Sequence, residues 1–230
     1  MAATEPNFNI EKAQPIPQLV ESSNRPIPSD RELEWDKSKV MTSKTDSKGI
    51  ILYANDAFID VCEYDDFELV NKPQNILRHP DMPKVIFKLL WENLDAGKDH
   101  LVVFKNMSKT GRFYWVLSEI KVITTDKGDT QFNGIQKAVN ANVILDIIEP
   151  LYKKLHQIEN VSGLQSSENY LQGFLEEKNM NFVTYMDSVC KAGVQAKNEE
   201  AKESGKKKGF FSNFFSGDAV AEDSKVILKK

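Results

Sequence analysis

Three turn clusters of similar chemistry, Asp46-Ser47-Lys48-Gly49, Ser108-Lys109-Thr110-Gly111 and Asp126-Lys127-Gly128-Asp129, separate runs rich in β-branched and aromatic residues. Each cluster has a short polar side chain that bonds its own backbone and a glycine that tolerates positive φ, so each reverses the chain tightly. The runs they separate are Val40 to Lys44, Ile50 to Ala54, His100 to Lys105, Phe113 to Thr124 and Gln131 to Val139. Strands joined by tight reversals run antiparallel, so five antiparallel strands are expected.

Between the second and third strands the periodicity changes to that of short helices. Asn55-Asp56 offers a cap to Ala57-Phe58-Ile59-Asp60-Val61-Cys62, and Phe67-Glu68-Leu69-Val70 makes another helical turn before Lys72-Pro73. Val85, Ile86, Leu89, Leu90 and Leu94 then mark one face of a longer helix ended by Gly97. Asp81, just ahead of Met82-Pro83, is placed either to cap that helix or to touch a ligand. The expected class is α+β: a five-stranded antiparallel sheet with short helices on one face.

With 230 residues and 40% apolar content the chain buries one good core. Residues 1–35 carry five prolines and read as a flexible lead-in, with a possible helical turn over Ser29 to Trp35; residues 36–140 form the sheet domain. A helical extension follows over 141–195. In it Ile144, Ile148, Leu151, Leu155 and Ile158 share a stripe, while Pro150 forces either a kink or a restart. Helices over Ser166 to Lys178 and Asn181 to Val194 are positioned to dock or dimerise. Residues 196–230 read as a disordered charged tail, and its Lys206 to Phe215 patch sets four phenylalanines beside three lysines, a pattern for resting on an anionic membrane surface.

Composition narrows the function. A net charge of −4 argues against nucleic acid as the main partner. The two cysteines, Cys62 and Cys190, suggest neither a disulfide framework nor zinc and fit a reduced, cytoplasmic setting. No apolar run approaches the roughly 20 residues that cross a bilayer. No Gly-rich phosphate loop, metal-ligand spacing or nucleophile with a base is evident, so no enzyme is expected.

One stretch carries chemistry beyond packing. Asn75-Ile76-Leu77-Arg78-His79-Pro80-Asp81-Met82-Pro83-Lys84 sets a cation, an imidazole and a carboxylate beside a turn, and Phe113-Tyr114-Trp115-Val116 supplies aromatic groups able to wall a flat ligand. Each has a plainer reading: Trp91 as core, His79 as a hydrogen-bonded structural histidine, and only one of Tyr114 and Trp115 on the pocket side of its strand.

Together with Tyr53-Ala54-Asn55-Asp56-Ala57-Phe58, Phe87, Trp91, Lys105-Asn106 and Lys109-Thr110-Gly111, these residues give the segment from Val40 to Val139 a resemblance to PAS sensor domains. Among them it is most similar to the flavin-binding PAS domains of aerotaxis receptors and of single-PAS energy-taxis proteins. That resemblance implies noncovalent FAD as a redox reporter, with Asn55, Arg78, His79, Asp81, Trp91, Asn106, Tyr114 and Trp115 as cofactor-binding positions. Gln136 stands where photosensory relatives have a glutamine beside the flavin ring, whereas Gln74 occupies the place of their reactive cysteine, so no photoadduct chemistry is expected. Because no membrane anchor or signalling helix is recognised, a chemoreceptor-type transducer is the expected partner, with homodimerisation through the sheet and C-terminal helices as a further possibility. The alternatives are a haem-based gas sensor using His79 or His100, and a cofactor-free docking module.

Overall fold

A computed structural model describes residues 25–193. The expected Lys206 to Phe215 membrane patch, the tail and residues 1–24 lie outside the described residues.

The strands form as the turn clusters require: β1 (Met41–Asp46), β2 (Ile51–Ala54), β3 (His100–Met107), β4 (Phe113–Thr124) and β5 (Thr130–Ala138). They make one antiparallel sheet in the order β2-β1-β5-β4-β3. Placing β1 beside β5 puts the first and last strands at the centre, so the helices inserted after β2 bridge the sheet's two edges across one face. Those helices are α1 (Asp56–Cys62), α2 (Asp66–Leu69), a 3-10 turn (Gln74–Leu77) and α3 (Lys84–Asp95). Asn55 starts α1 as expected: its side-chain oxygen accepts the amides of Phe58 and Thr42, and its amide donates to the Val40 carbonyl, tying the helix start to the β1 end of the sheet.

The start of α3 departs from the sequence reading. Asp81 does not cap it. The amides of Lys84 and Val85 are instead taken by the carboxylate of Glu159, at 2.8 Å each, from far along the chain. Asp81 is drawn away by the Lys105 ammonium, 2.6 Å from its carboxylate.

After β5 the chain forms α4 (Ala141–Val143), a π-helical segment (Ile144–Ile148), α5 (Glu149–Ser162) and α6 (Leu164–Glu177), then α7 over 182–193. Pro150 falls in the first turn of α5. A proline has no amide hydrogen for the preceding turn, and the wider π register ahead of it lets the helix restart without a sharp kink. Four residues of the predicted stripe, Ile144, Ile148, Leu151 and Leu155, are buried in the same core cluster as the sheet and α3, whereas Ile158 is only partly buried and outside that cluster.

The extension and the segment ahead of α3 together cover part of the β3 edge. Tyr152 Oη donates to the Val103 carbonyl at 2.8 Å, the His79 amide to the Lys105 carbonyl at 3.3 Å, and Met82 Sδ accepts the Lys105 amide at 3.3 Å. Backbone groups taken up in this way are unavailable for pairing with a further strand at Val103 and Lys105.

The expected helical turn over Ser29 to Trp35 is absent. Residues 25–33 run extended along the start of β4, where Leu33 donates to Phe113, Phe113 to Arg31 and Ser29 to Gly111. Those backbone groups are committed to the strand end and are not free to close a helix; Leu33 and Trp35 join the core.

Candidate functional site

A cavity of about 370 Å³ lies between α3 and the inner face of the sheet, within the range typical of small-molecule sites. Its helical wall is Phe87, Leu90, Trp91 and Leu94, one side of α3; its sheet wall is Phe104, Ser118, Ile120, Phe132 and Gln136. Alternation places these sheet residues together, since every second side chain on β3, β4 and β5 points inward. Two aromatic pairs join the walls: Phe87 stacks on Phe104 at 5.6 Å, and Trp91 meets Phe132 edge-on at 5.9 Å. Gly134 keeps the floor open, since a Cβ there would come within 3.2 Å of the Ser43 hydroxyl.

Charge in the lining has one sign. Among the described residues, Arg78, Lys48 and Lys84 reach the cavity and no aspartate or glutamate does. The Arg78 guanidinium lies 3.9 Å from the centre of the Phe87 ring and donates to the Met82 carbonyl at 3.0 Å. Burial lowers its pKa to about 10, so it stays charged near neutrality, with Glu159 favouring the charge and Arg25 opposing it. Arg25 donates to the carbonyls of Asn75 and Arg78, holding the strap of residues 25–33 against the cavity's lip.

Three buried polar atoms in the lining have no partner among the described residues: Asn75 Oδ1, Ser118 Oγ and Gln136 Oε1. Leaving such a group unsatisfied costs about 1–3 kcal/mol. A cavity that keeps three of them is built to receive a molecule with its own polar edge.

Four of the nine residues singled out from sequence line this space: Arg78, Trp91, Asn106 and Gln136. The other five do not. Asn55 is spent on the α1 cap. His79 is buried under Phe113, its Nδ1 accepting the Asp81 amide at 3.2 Å, and burial lowers its pKa to about 4, with Lys105 adding to the effect. Asp81 is half exposed and pairs with Lys105. Tyr114 points to the helix side but lies in the core, where burial raises its phenol well above the ordinary range beside Cys62 and Asn106. Trp115 faces the opposite side of the sheet, against Tyr152 and Lys105. Strand alternation allowed at most one of Tyr114 and Trp115 into the cavity, and the depth of the α1 packing took that one too.

Sequence reasoning missed Ser118, Phe104 and Phe132. They sit inside ordinary strand runs, and only the inward set shared with Gln136 and Asn106 marks them. Neither cysteine lines the cavity; burial pushes the Cys62 thiol up to about 11. His100 is also outside it, stacked on Phe182 of α7 at 5.6 Å.

Residues 51–136 match the family described as the PAS fold. The aerotaxis receptor of Escherichia coli (strain K12) is 33% identical over 134 residues, 58% of this chain but 26% of the receptor. Phototropin-1A of Oryza sativa subsp. japonica is 26% identical over 102 residues, 44% of this chain and 11% of the phototropin. A solved light-oxygen-voltage domain studied with a flavin analogue aligns at 20% identity and a TM-score of 0.44, covering 49% of this chain and 87% of that one. The chain thus spans about a quarter or less of the curated relatives' own length. The match begins at β2, and β1, which precedes it, completes the sheet by pairing with β5.

Proposed function

We propose that this chain is a flavin-based redox or energy sensor, with FAD held in the cavity between α3 and the sheet, acting in energy taxis through a separate chemoreceptor-type transducer. The observation that carries this reading is the cavity itself: flat aromatic and aliphatic walls, unpartnered polar atoms at the floor, and cations without carboxylates at the lip. Such a site suits a planar heteroaromatic ring bearing an anionic tail. A bound flavin supplies reversible electron and proton uptake.

Trp91, Phe87, Phe104 and Phe132 confine the ring, Gln136 and Asn106 hydrogen-bond its polar edges, and Arg78 with Lys84 and Lys48 meets the phosphates. The likeness to the aerotaxis receptor supports the taxis assignment. The haem alternative is weaker because no histidine lines the cavity. No helix among the described residues is long and apolar enough to cross a membrane.

The test is a visible spectrum of protein isolated without denaturant. The expected result is a two-banded flavin absorption that bleaches with dithionite, with FAD identified by chromatography of the released cofactor. Colourless protein that also fails to take up added FAD, FMN or riboflavin would leave only a docking module.

A further inference from the structure

Ser118 and Gln136 stand directly opposite each other on β4 and β5, and both are 1% exposed. Both line the cavity, and neither the Ser118 hydroxyl nor the Gln136 carbonyl oxygen has a partner among the described residues. Their neighbours differ. On the same face of the sheet the Ser43 hydroxyl accepts from Gln74 Nε2 at 3.4 Å; of the other inward strand residues lining the cavity, Phe104, Ile120 and Phe132 are apolar, and Thr45 and Asn106 are polar without an unpartnered buried atom. An inward-facing strand position of this size is filled as well by alanine, which would leave no polar atom to satisfy. A serine there leaves a hydroxyl for a guest in the cavity, ligand or ordered water, to bond.

The two side chains offer different chemistry. The Gln136 amide presents a fixed acceptor and a fixed donor unless the whole group turns over, whereas the Ser118 hydroxyl donates or accepts by rotating one hydrogen. Side by side on adjacent strands, they read one edge of a ring.

We propose that Ser118 is a specificity-determining residue of the cavity floor: its hydroxyl hydrogen-bonds the polar edge of the flavin ring beside Gln136, favouring rings with carbonyl or ring-nitrogen acceptors over apolar planar molecules. This rests on the flavin reading above and adds a position that no sequence pattern marked.

The test is Ser118→Ala in the full chain, titrated with FAD and with FMN, with the carbonyl stretches of bound flavin read by infrared difference spectroscopy. The variant is expected to bind roughly 3- to 10-fold more weakly, the equivalent of one hydrogen bond. A flavin carbonyl band is expected to move to higher wavenumber as that bond is lost. The ligand-free thermal midpoint should be unchanged or higher, because a hydroxyl without a protein partner has been removed. Unchanged affinity with unmoved carbonyl bands overturns the proposal, as does a lowered ligand-free midpoint without a band shift, which marks Ser118 as structural. Where affinity and midpoint both fall, the band position decides. Failure of the wild-type chain to take up any flavin is a different result: it removes the functional reading itself and this inference with it.

Discussion

The Glu159 carboxylate on α5 caps the amide of Val85 on α3 across 74 positions of sequence, and caps Lys84 with its second oxygen. A negative charge at the start of a helix meets both the unpaired amides and the positive end of the dipole. Since α3 is the cavity's helical wall, the C-terminal extension holds that wall by its first turn. A second tie joins Lys88 on α3 to Glu168 on α6. Any shift of α3 is therefore felt by the extension.

Removing the cap should loosen this joint. Glu159→Ala is expected to lower stability by about 1–2 kcal/mol, with Glu159→Gln losing less because it keeps an acceptor. Urea unfolding gives the magnitude, and hydrogen exchange at the Lys84 and Val85 amides gives the location. A variant with wild-type stability and protection would show that water replaces the carboxylate.

Gly111 permits the strap. Its φ of +84° is in the left-handed region, and a Cβ there would lie 2.1 Å from the Ile27 carbonyl oxygen. Gly111→Ala is expected to destabilise by about 2 kcal/mol, through backbone strain together with displacement of residues 25–33. Limited proteolysis should then cut near Ile27 faster than in the wild type; unchanged cleavage would show that the strap moves aside without detaching.

Acid should weaken the fold through two buried imidazoles. Burial lowers the pKa of His79, and of His100, from 6.5 to about 4. Between those values the unfolded chain binds more protons than the folded one, so stability rises with pH across the window and is fully present above about 6.5. Each histidine contributes roughly 2–3 kcal/mol of that change. Urea midpoints at pH 5 and pH 7 measure the slope, and His100→Leu should remove about half of it. A flat profile would mean that both rings protonate without cost.

Arg78 should separate phosphorylated from unphosphorylated ligands. Arg78→Gln removes the cation at the cavity's lip and its stacking on Phe87, and is expected to weaken FAD and FMN binding about tenfold, near 1.4 kcal/mol, while riboflavin binding changes less. Equal losses for all three would assign Arg78 to shaping the cavity and not to meeting phosphate.

Much of the sheet was legible because its determinants are local. Asp46 to Gly49, Ser108 to Gly111 and Asp126 to Asp129 reverse the chain by their own backbone bonding, and alternation in the runs between them names the strands. Asn55 announced its cap for the same reason. Asp81 misled because a capping signal is only a local offer: the Lys105 ammonium outbid it for the carboxylate, and Glu159 took the amides. The extended path of residues 25–33 was hidden likewise, since the backbone partners lie on Phe113 and Gly111.

What the amino-acid order determined alone was the set of elements and the inward or outward sense of each strand residue, because both depend on periods of two and 3.6 and on turn chemistry within a few positions. Only tertiary structure decided which inward residues border empty space. Tyr114 and Ser118 share a strand and a face, yet α1 packs down on the first while α3 stands off the second, and that spacing is set by aromatic pairs such as Phe87 with Phe104 that meet only after the chain has folded.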